Sequence, residues 1–432
     1  MDVLFTPLND QLRSGLDKIR EEHGLDGYYA VLIYEEGHLL TEAVYSLFPN
    51  AKSASTNFTM HSLTNFCPVD EVFFEFQGHK QALVSVSAMG SAANGDITHF
   101  FLMSHTEESL REITKRVIDA VRDIQVRTRT IRVFGGPDVK IHREYDWDDI
   151  CWPESLKRDV RNTVEFFLER KDWFERRRMP YKRGILMTGP PGNGKTLLVK
   201  VLLSQYPFVG FAFDFYDEDS TGHTFRNMFR CASEMAPALI LLEDLDRALT
   251  SDRQGGKYDV KIGLDTILNT MDGVGEHPGI LSMATANDIN KIDPALRQRP
   301  RRFDRVFELP NPSDELRQQF ALKLFGDCIS GDEFYKEIVK ETAGFSMAFI
   351  EEVYLKACSD ALTEGYEVPT VQHVEDAFNA ILAHWETDSS RKVGFAASVR
   401  GSGGNEKIQP MSSGKQPYPS VGGGRLLTRR GR

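Results

Sequence analysis

The sequence predicts an α/β protein built on a parallel sheet, with a smaller α/β or α+β domain before the sheet and a helical domain after it. From Trp152 to about Pro310, apolar strand-like runs alternate with helical patterns, which is typical of a parallel sheet with crossover helices. From Asn311 to about Trp385 the pattern is almost entirely helical. The 432 residues suffice for two or three such domains.

Charge and cysteine content exclude several classes of protein. The net charge of −11 argues against a generic nucleic-acid binder. No signal peptide is recognisable, and no apolar run approaches the ~20 residues of a membrane span. Scattered cysteines without a C-x-x-C pair predict a reduced cytoplasmic protein that lacks disulfides and structural zinc. The five are Cys67, Cys151, Cys231, Cys328 and Cys358.

Residues 1–128 are predicted to form an N-terminal domain. Strand-like runs occupy 28–34, 72–76, 82–88 and 97–103, and a helix follows them. Ser104 and Glu107 have the spacing of a capping box at the start of that helix. One face of the helix is apolar, through Leu110, Ile113, Val117, Val121 and Ile124. This domain carries no catalytic constellation, so we expect it to bind a partner.

Two further segments have no predicted core. Residues 129–150 contain a Gly-Gly-Pro turn followed by charges, which predicts a linker before the main domain at 151–310 and the helical domain at 311–386. Residues 387–432 are rich in Gly and Ser, which predicts a disordered basic tail. The arginines near its end are Arg425, Arg429, Arg430 and Arg432.

The strongest motif is "GPPGNGKT", which satisfies G-x-x-x-x-G-K-[ST]. Its glycines let backbone N–H groups point at phosphate oxygens. Lys195 then supplies a charge for the β- and γ-phosphates, and the Thr196 hydroxyl supplies a ligand for Mg²⁺. A buried strand, "KRGILMT", precedes the motif and a helix, "LLVKVLL", follows it. The predicted nucleotide-binding residues of this loop are Gly189, Pro190, Pro191, Gly192, Asn193, Gly194, Lys195, Thr196 and Leu197.

A second motif, "ALILLEDLDRA", ends an apolar strand with Glu243 and Asp244. Ionised groups at such a place need a partner. Beside a phosphate-binding loop, one carboxylate holds Mg²⁺ through its water shell and a second orients the attacking water. The alternative is a helix N-terminus with ordinary acidic residues in its first turn.

These motifs and four more resemble, in order, those of the AAA ATPases. The resemblance covers about Asp146 to Ala383. "PYKRGILMTGPPGNGKT" resembles the Walker A region, and "APALILLEDLD" resembles the Walker B strand. The other segments resemble the helix opening the second region of homology, the sensor-1 strand end, the arginine-finger segment and the lid helix. They read "ILNTMDGV", "ATAND", "IDPALRQRPRRFDRVFELPNPS" and "TAGFSMAFIEEVYLKAC".

The resemblance implies the parallel sheet of a P-loop NTPase with a helical lid, and hydrolysis of ATP with Mg²⁺. It implies metal ligation by Thr196 and Glu243, water activation by Asp244 and a sensor role for Asn287, beside Lys195. The family usually has Asp before Glu. The reverse order, "PYKRG" and Asn193 resemble the branch of the mitochondrial Rieske-protein translocase. Because the sequence shows no counterpart of that relative's membrane segment, its membrane role does not carry over.

The arginine segment predicts a ring. Counting back from Phe303 gives Arg302 and Arg299 as arginine fingers, and Arg297 and Arg301 replace them if the loop register shifts. An arginine finger acts on the nucleotide of the neighbouring subunit. The resemblance therefore implies a homo-oligomeric ring, a hexamer by family. The alternative is a basic surface loop.

Two subsites depart from the family pattern. Phe211, Phe213 and Phe215 alternate, which predicts strand core rather than a pore loop that grips a peptide. The resemblance gives backbone contacts to adenine from Asp149 and Ile150, with the segment 344–348 on the other side of the base. We expect ATP rather than GTP because no N-K-x-D motif follows.

The sequence predicts a ring-forming, chaperone-like ATPase that remodels a protein partner bound through the N-terminal domain. The alternative is a nucleotide-dependent switch or a nucleic-acid motor, for which the basic tail is the supporting feature.

Overall fold

The structure is a computed structural model that contains two sheets and a helical lid. It describes residues 10–25, 28–33, 37–53, 72–89, 96–217, 220–251, 262–272, 277–293, 296 and 302–383. The predicted tail at 387–432 lies outside these residues. Within them, no helix has both the length and the apolar character needed to cross a bilayer.

The N-terminal domain is a five-stranded antiparallel sheet in the order β1-β5-β4-β3-β2. Side chains alternate between its faces, so Ala82 and Val84 meet helix α1 while Leu83 and Leu102 meet helices α2 and α3. The elements are α1 (Asp10–His23), β1 (Tyr29–Ile33), α2 (Gly37–Leu47), β2 (Lys52–Ser53), β3 (Val72–Phe76), β4 (His79–Met89), β5 (Asp96–Ser104) and α3 (Glu107–Thr128).

The start of α3 differs from the predicted capping box. Strand β5 continues through Ser104, which pairs with Tyr29 of β1, so Ser104 is unable to begin a helix. The N-cap is Thr106, whose side chain accepts a hydrogen bond from the Ser109 N–H. The prediction of Ser104 as the cap is therefore wrong by two residues, whereas the predicted apolar face of α3 is buried.

The segment predicted as a linker contributes strands to the main sheet. Arg129 ends α3 in the left-handed conformation, with φ of 51°, and turns the chain directly into β6 (Thr130–Phe134). Strand β6 pairs in parallel with β9 (Val209–Phe213), and β7 (Val139–Lys140) pairs with β6. The structured part of the main sheet therefore begins near Thr130, about twenty residues before the predicted boundary.

The main sheet has seven strands in the order β12-β8-β11-β10-β9-β6-β7. Every pair is parallel except β6 with β7. This confirms the predicted α/β class with a parallel sheet. Its remaining elements are α4 (Glu154–Glu169), α5 (Lys171–Arg176), β8 (Lys182–Thr188), α6 (Lys195–Gln205), β9 (Val209–Phe213), α7 (Gly222–Glu234), β10 (Ala238–Leu242), α8 (Leu245–Ser251), α9 (Leu264–Asp272), β11 (Ile280–Ala286) and β12 (Arg305–Glu308).

One face of the main sheet and the N-terminal domain share a hydrophobic core. Side chains of α3 belong to the same buried cluster as the phenylalanines of β9 and the residues just after it. Phe211, Phe213 and Phe215 are 0%, 4% and 2% exposed. They are core residues, as the alternation predicts.

In the part of the chain described after β12, four helices form the lid: α10 (Asp314–Phe325), α11 (Asp332–Glu341), α12 (Met347–Thr363) and α13 (371–383). They pack around their own core, which includes Phe325, Phe349 and Phe378. Residues 364–370 separate α12 from α13.

Candidate active site

The carboxyl ends of β8, β11 and β10 lie side by side and carry the predicted motifs. Ala286 of β11 pairs with Thr188 of β8, and Ala284 pairs with Leu242 of β10. The residues that follow these strands therefore meet at one edge of the sheet, where open parallel sheets bind ligands.

The loop from Gly189 to Thr196, the P-loop, joins β8 to α6. Gly189 has φ of 135°, and a side chain there would place its Cβ 2.0 Å from the Leu309 carbonyl oxygen. Only glycine fits this close approach. Helix α6 begins at Lys195, so its positive N-terminal end faces the loop. This arrangement suits an anionic phosphate chain.

Lys195 lies beneath the loop with only 7% of its surface exposed. Its Nζ donates hydrogen bonds to the Gly189 and Pro190 carbonyl oxygens, at 2.7 and 3.0 Å, and to Asn287 Oδ1 at 3.0 Å. Burial lowers the pKa of Lys195, and the charges of Asp244 and Asp246 oppose that shift. A phosphate would give this buried cation an anionic partner.

Thr196 and Glu243 are adjacent, because the Thr196 hydroxyl donates to Glu243 Oε1 at 2.6 Å. Both groups present hard oxygen atoms, which are the ligands that Mg²⁺ prefers. Protein sites for Mg²⁺ use one or two such ligands, together with waters and substrate phosphates. The pair therefore fits the predicted metal site.

Asp244 and Asn287 form a second pair at the same edge. Asn287 Nδ2 donates to Asp244 Oδ1 at 3.2 Å, while Asn287 Oδ1 accepts from Lys195. The Asp244 backbone N–H donates to Thr285 Oγ1 at 3.1 Å, and Arg247 donates to Asp244 Oδ2 at 3.3 Å. Asn287 thus connects the lysine of the P-loop to the second acid of the strand.

The backbone of Asp244 gives a reason for the order of the two acids. Its φ of 47° lies in the left-handed region. Aspartate and asparagine adopt that conformation more readily than longer residues, because their short polar side chains hydrogen-bond locally. Glu243 occupies the position before this turn. The order Glu-Asp is therefore the one that suits the local backbone.

Two supporting residues were missed by sequence reasoning. Asp246 is 1% exposed and accepts a hydrogen bond from the Asp288 N–H at 3.2 Å, which ties the ends of β10 and β11 together. Thr285 holds the Asp244 backbone from the middle strand. The third acid of "LEDLD" was a signal for Asp246, whereas nothing in the sequence pattern marks Thr285.

A cavity of about 180 Å³ lies between the P-loop, the segment before α4 and the lid. Its lining includes Cys151, Trp152, Leu316 and Met347. Burial raises the pKa of the Cys151 thiol. Asp149 and Ile150, which are predicted to contact adenine, directly precede two of these lining residues.

The Asp149 carboxylate is hydrogen-bonded within the protein, and the Ile150 side chain is buried. Asp149 accepts hydrogen bonds from the Arg143 guanidinium and the Asp146 N–H. Burial acts to raise the pKa of Asp149, but these hydrogen bonds together with the positive charges of Arg143 and Lys323 outweigh it and lower the pKa. Ile150 is 1% exposed in the core. Neither observation tests the predicted backbone contacts to adenine, which stay a prediction.

Comparison with known proteins finds one matching family of ATPases and several similar proteins. The profile of the ATPase family associated with various cellular activities (AAA) matches residues 185–311. Proteasome-activating nucleotidase 1 of Haloferax volcanii is 30% identical over 281 residues, which cover 62% of this chain and 68% of that protein. The chain belongs to the AAA family of ATPases. This confirms the predicted family and enzyme class, with ATP and Mg²⁺ as its ligands.

Two further relatives show how far the AAA match extends. Proteasome-activating nucleotidase 2 of Halobacterium salinarum is 28% identical over 287 residues, or 64% of this chain and 67% of that protein. The ATP-dependent zinc metalloprotease FtsH of Mycoplasma mobile is 32% identical over 257 residues, or 56% of this chain and 36% of that protein. The chain thus spans about a third of the FtsH length. The narrower resemblance to the Rieske-protein translocase branch stays a prediction.

The arginine segment of this AAA protein is only partly described. Arg297, Arg299 and Arg301 lie outside the described residues. Arg302 is 3% exposed, and its guanidinium forms an ion pair with Asp272 at the end of α9, with 2.5 Å between Nη2 and Oδ2. The buried ion pair favours a role for Arg302 within its own subunit. Arg299 is then the stronger candidate for the arginine finger.

We expect Arg302→Ala to destabilise the main domain. Removing one partner of a largely buried ion pair costs about 3 kcal/mol, because the remaining charge loses its compensation. Arg305→Ala is a matched control, since Arg305 is exposed on the neighbouring β12. Denaturant unfolding followed by circular dichroism measures both variants. Equal midpoints for the two variants would contradict the structural role of Arg302.

Proposed function

We propose that this AAA protein hydrolyses ATP with Mg²⁺ and uses the cycle to remodel a protein partner. The observation that carries the proposal is the cluster of Lys195, Thr196, Glu243, Asp244 and Asn287 at one edge of the sheet. Thr196 and Glu243 would hold the ion. Bound Mg²⁺ neutralises charge on the β- and γ-phosphates.

The residues around the phosphate chain have distinct proposed tasks. Lys195 exchanges its hydrogen bonds to the Gly189 and Pro190 carbonyl oxygens for contacts with the β- and γ-phosphates. Its positive charge offsets the negative charge of the phosphates. Asp244 accepts a hydrogen bond from the attacking water and orients it toward the γ-phosphate. Asn287 touches both side chains, so it fixes the distance between the cation and the acid.

The proposed active form is a homo-oligomeric ring, a hexamer by family. Arg299 would reach the γ-phosphate held by the neighbouring subunit, which completes the site. The buried ion pair of Arg302 with Asp272 supports this choice, because Arg302 already has a partner within the subunit.

The proposed partner is a protein. The names of the relatives connect ATP or nucleotide use with proteolysis, through a metalloprotease and a proteasome activator. This sequence contains no H-E-x-x-H motif, and the described residues hold no cluster of three or more potential metal ligands among His, Cys, Asp and Glu. We propose remodelling of a protein partner, in the predicted cytoplasmic location.

The N-terminal domain is the proposed binding element for that partner. Its α3 shares a core with β9, so a load on the domain acts directly on the main sheet. We propose that opening and closing of the ring transmits this load. Threading through a pore is less well supported, because Phe211, Phe213 and Phe215 are buried.

A trapped variant tests the partner class. Asp244→Asn protein with ATP is expected to retain partners that wild-type protein releases, and mass spectrometry identifies them. Adding Tyr216→Ala should leave the captured set unchanged, since Tyr216, 43% exposed just after β9, is not proposed to grip a peptide. Loss of capture on that change would indicate threading.

The nucleic-acid alternative gives a different result in the same assay. Capture of DNA or RNA that is lost at high salt or on deletion of residues 387–432 would favour a nucleic-acid motor. ATP hydrolysis that is unaffected by nucleic acid would favour the protein partner.

A further inference from the structure

The P-loop makes a set of hydrogen bonds to the lid that the phosphate chemistry does not require. The Ala348 N–H donates to the Gly192 carbonyl oxygen at 3.0 Å, and the Met347 N–H donates to Asn193 Oδ1 at 3.2 Å. Both donors belong to the first turn of the lid helix α12. We call these two bonds, with the one that Asn193 makes to Asn311, the lid contact.

The lid contact takes the place of an ordinary helix cap. Ser346 stands at the N-cap of α12, and its side chain makes no capping hydrogen bond. The first N–H groups of a helix need acceptors from elsewhere. Here the P-loop supplies two. The approach is close, because a side chain at Gly192 would place its Cβ 2.7 Å from Ser346 Oγ.

The other end of the Asn193 amide reaches the segment that joins β12 to the lid. Asn193 Nδ2 donates to Asn311 Oδ1 at 2.9 Å, and Asn311 Nδ2 donates to the Gly344 carbonyl oxygen at 2.7 Å. Asn193 is 4% exposed. Its side chain thus uses a donor toward the joining segment and an acceptor toward α12, and an amide supplies both.

The Asn193 backbone ties a third segment to the same point. Its carbonyl oxygen accepts a hydrogen bond from Trp152 Nε1 at 2.8 Å. Trp152 and Met347 both line the cavity beside the P-loop. One residue of the P-loop therefore contacts the segment before α4, the joining segment and the start of the lid helix.

We propose that Asn193 is a positioning residue that couples the nucleotide state of the P-loop to the position of the lid. Its side chain faces the lid, while the backbone of the same loop is the proposed phosphate-binding surface. When the loop changes shape on binding or losing phosphate, the hydrogen bonds of the Asn193 side-chain amide to Asn311 and Met347 change with it. Coupling is reciprocal, so a correctly placed lid raises nucleotide affinity. The proposal rests on ATP binding at this P-loop.

Breaking the lid contact is expected to weaken nucleotide binding with little effect on the chemical step. Asn193→Ala should raise the Kd for ADP and the KM for ATP about tenfold, as for loss of one or two hydrogen bonds. The kcat should stay within about threefold of wild type. Asn311→Ala, which leaves the P-loop sequence intact, should shift both constants in the same direction. Asn162→Ala on the exposed face of α4 is the matched control.

Calorimetry with ADP and phosphate release from ATP give these constants, and a double-mutant cycle tests the coupling. The variant with both substitutions should lose less affinity than the product of the two single losses, because each single variant already removes the hydrogen bond between the two side chains. Multiplied losses would overturn the proposal. So would a fall in kcat at unchanged KM, since that would make Asn193 a residue of the chemical step.

Hydrogen exchange gives a readout that a purely structural role leaves unmoved. In wild-type protein, ADP should slow exchange at the Met347 and Ala348 amides, and in Asn193→Ala this response should vanish. A full response in the variant would overturn the coupling. If wild-type protein bound ADP but failed to hydrolyse ATP, the proposed function would fail, while the exchange measurement would still decide the role of Asn193.

Discussion

Mixing Arg299→Ala subunits with wild-type subunits is expected to lower ATP hydrolysis by more than the variant share of the mixture. An arginine finger contributes about 10³- to 10⁵-fold to the rate of phosphoryl transfer, so the all-variant ring should be close to inactive. In a mixed ring, each variant subunit silences the intact site of its neighbour, and because the proposed ring opens and closes as one unit, a silent site also slows the remaining sites. Phosphate release measured across a series of mixing ratios therefore follows a curve below the straight line.

Two controls separate this effect from damage to the ring. Arg305 is an exposed arginine on β12. Mixtures that contain Arg305→Ala subunits should have activities on the straight line between the wild-type ring and the all-variant ring. Arg302→Lys keeps a cation beside Asp272 and should poison less than Arg299→Ala. A straight line for Arg299→Ala would contradict this coupled action in trans. Strong poisoning by Arg302→Lys alone would return the finger to Arg302.

Asp244→Asn is expected to lower kcat by about 10²- to 10⁴-fold while ATP still binds, because the variant loses the group that orients water. Asparagine also adopts the left-handed conformation of residue 244, so the backbone turn should persist. Lys195 and the P-loop are unchanged. Calorimetry with ATP and single-turnover hydrolysis measure the two effects separately. Hydrolysis at the wild-type rate would remove Asp244 from this role.

Restoring the usual family order tests how much the turn matters. Glu243→Asp combined with Asp244→Glu keeps both carboxylates and should retain appreciable activity. A glutamate in the left-handed conformation adds about 1 kcal/mol of strain, so we expect some loss of stability. The matched comparison is the double variant with Gln at 243 and Asn at 244, which should be inactive.

The local parts of the site were predictable from sequence, because they depend on contiguous runs. Strand β8, the P-loop and helix α6 follow one another, and both the apolar runs and the glycines are visible. The acids after β10 and the asparagine after β11 also lie where the motifs place them. Parallel strands bring those ends together whatever lies between them.

The parts that were not predicted depend on contacts between distant segments. Strand β6 is a short run next to a Gly-Gly-Pro turn, and its partner β9 lies far along the chain. Asn193 meets Asn311 and Met347 across 118 and 154 positions. Arg302 meets Asp272 through a side chain whose burial no local pattern indicates. Such pairings are decided by tertiary packing, which overrides local preference.

In the proposed mechanism, Glu243 binds the metal ion and Asp244 orients the attacking water. The most direct measurement is phosphate release as a function of Mg²⁺ concentration for wild type, Glu243→Gln and Asp244→Asn. The proposed division predicts that Glu243→Gln raises the Mg²⁺ concentration needed for half-maximal rate. Asp244→Asn should lower the maximal rate and leave that concentration unchanged. A shifted Mg²⁺ requirement in Asp244→Asn with an unshifted one in Glu243→Gln would contradict it.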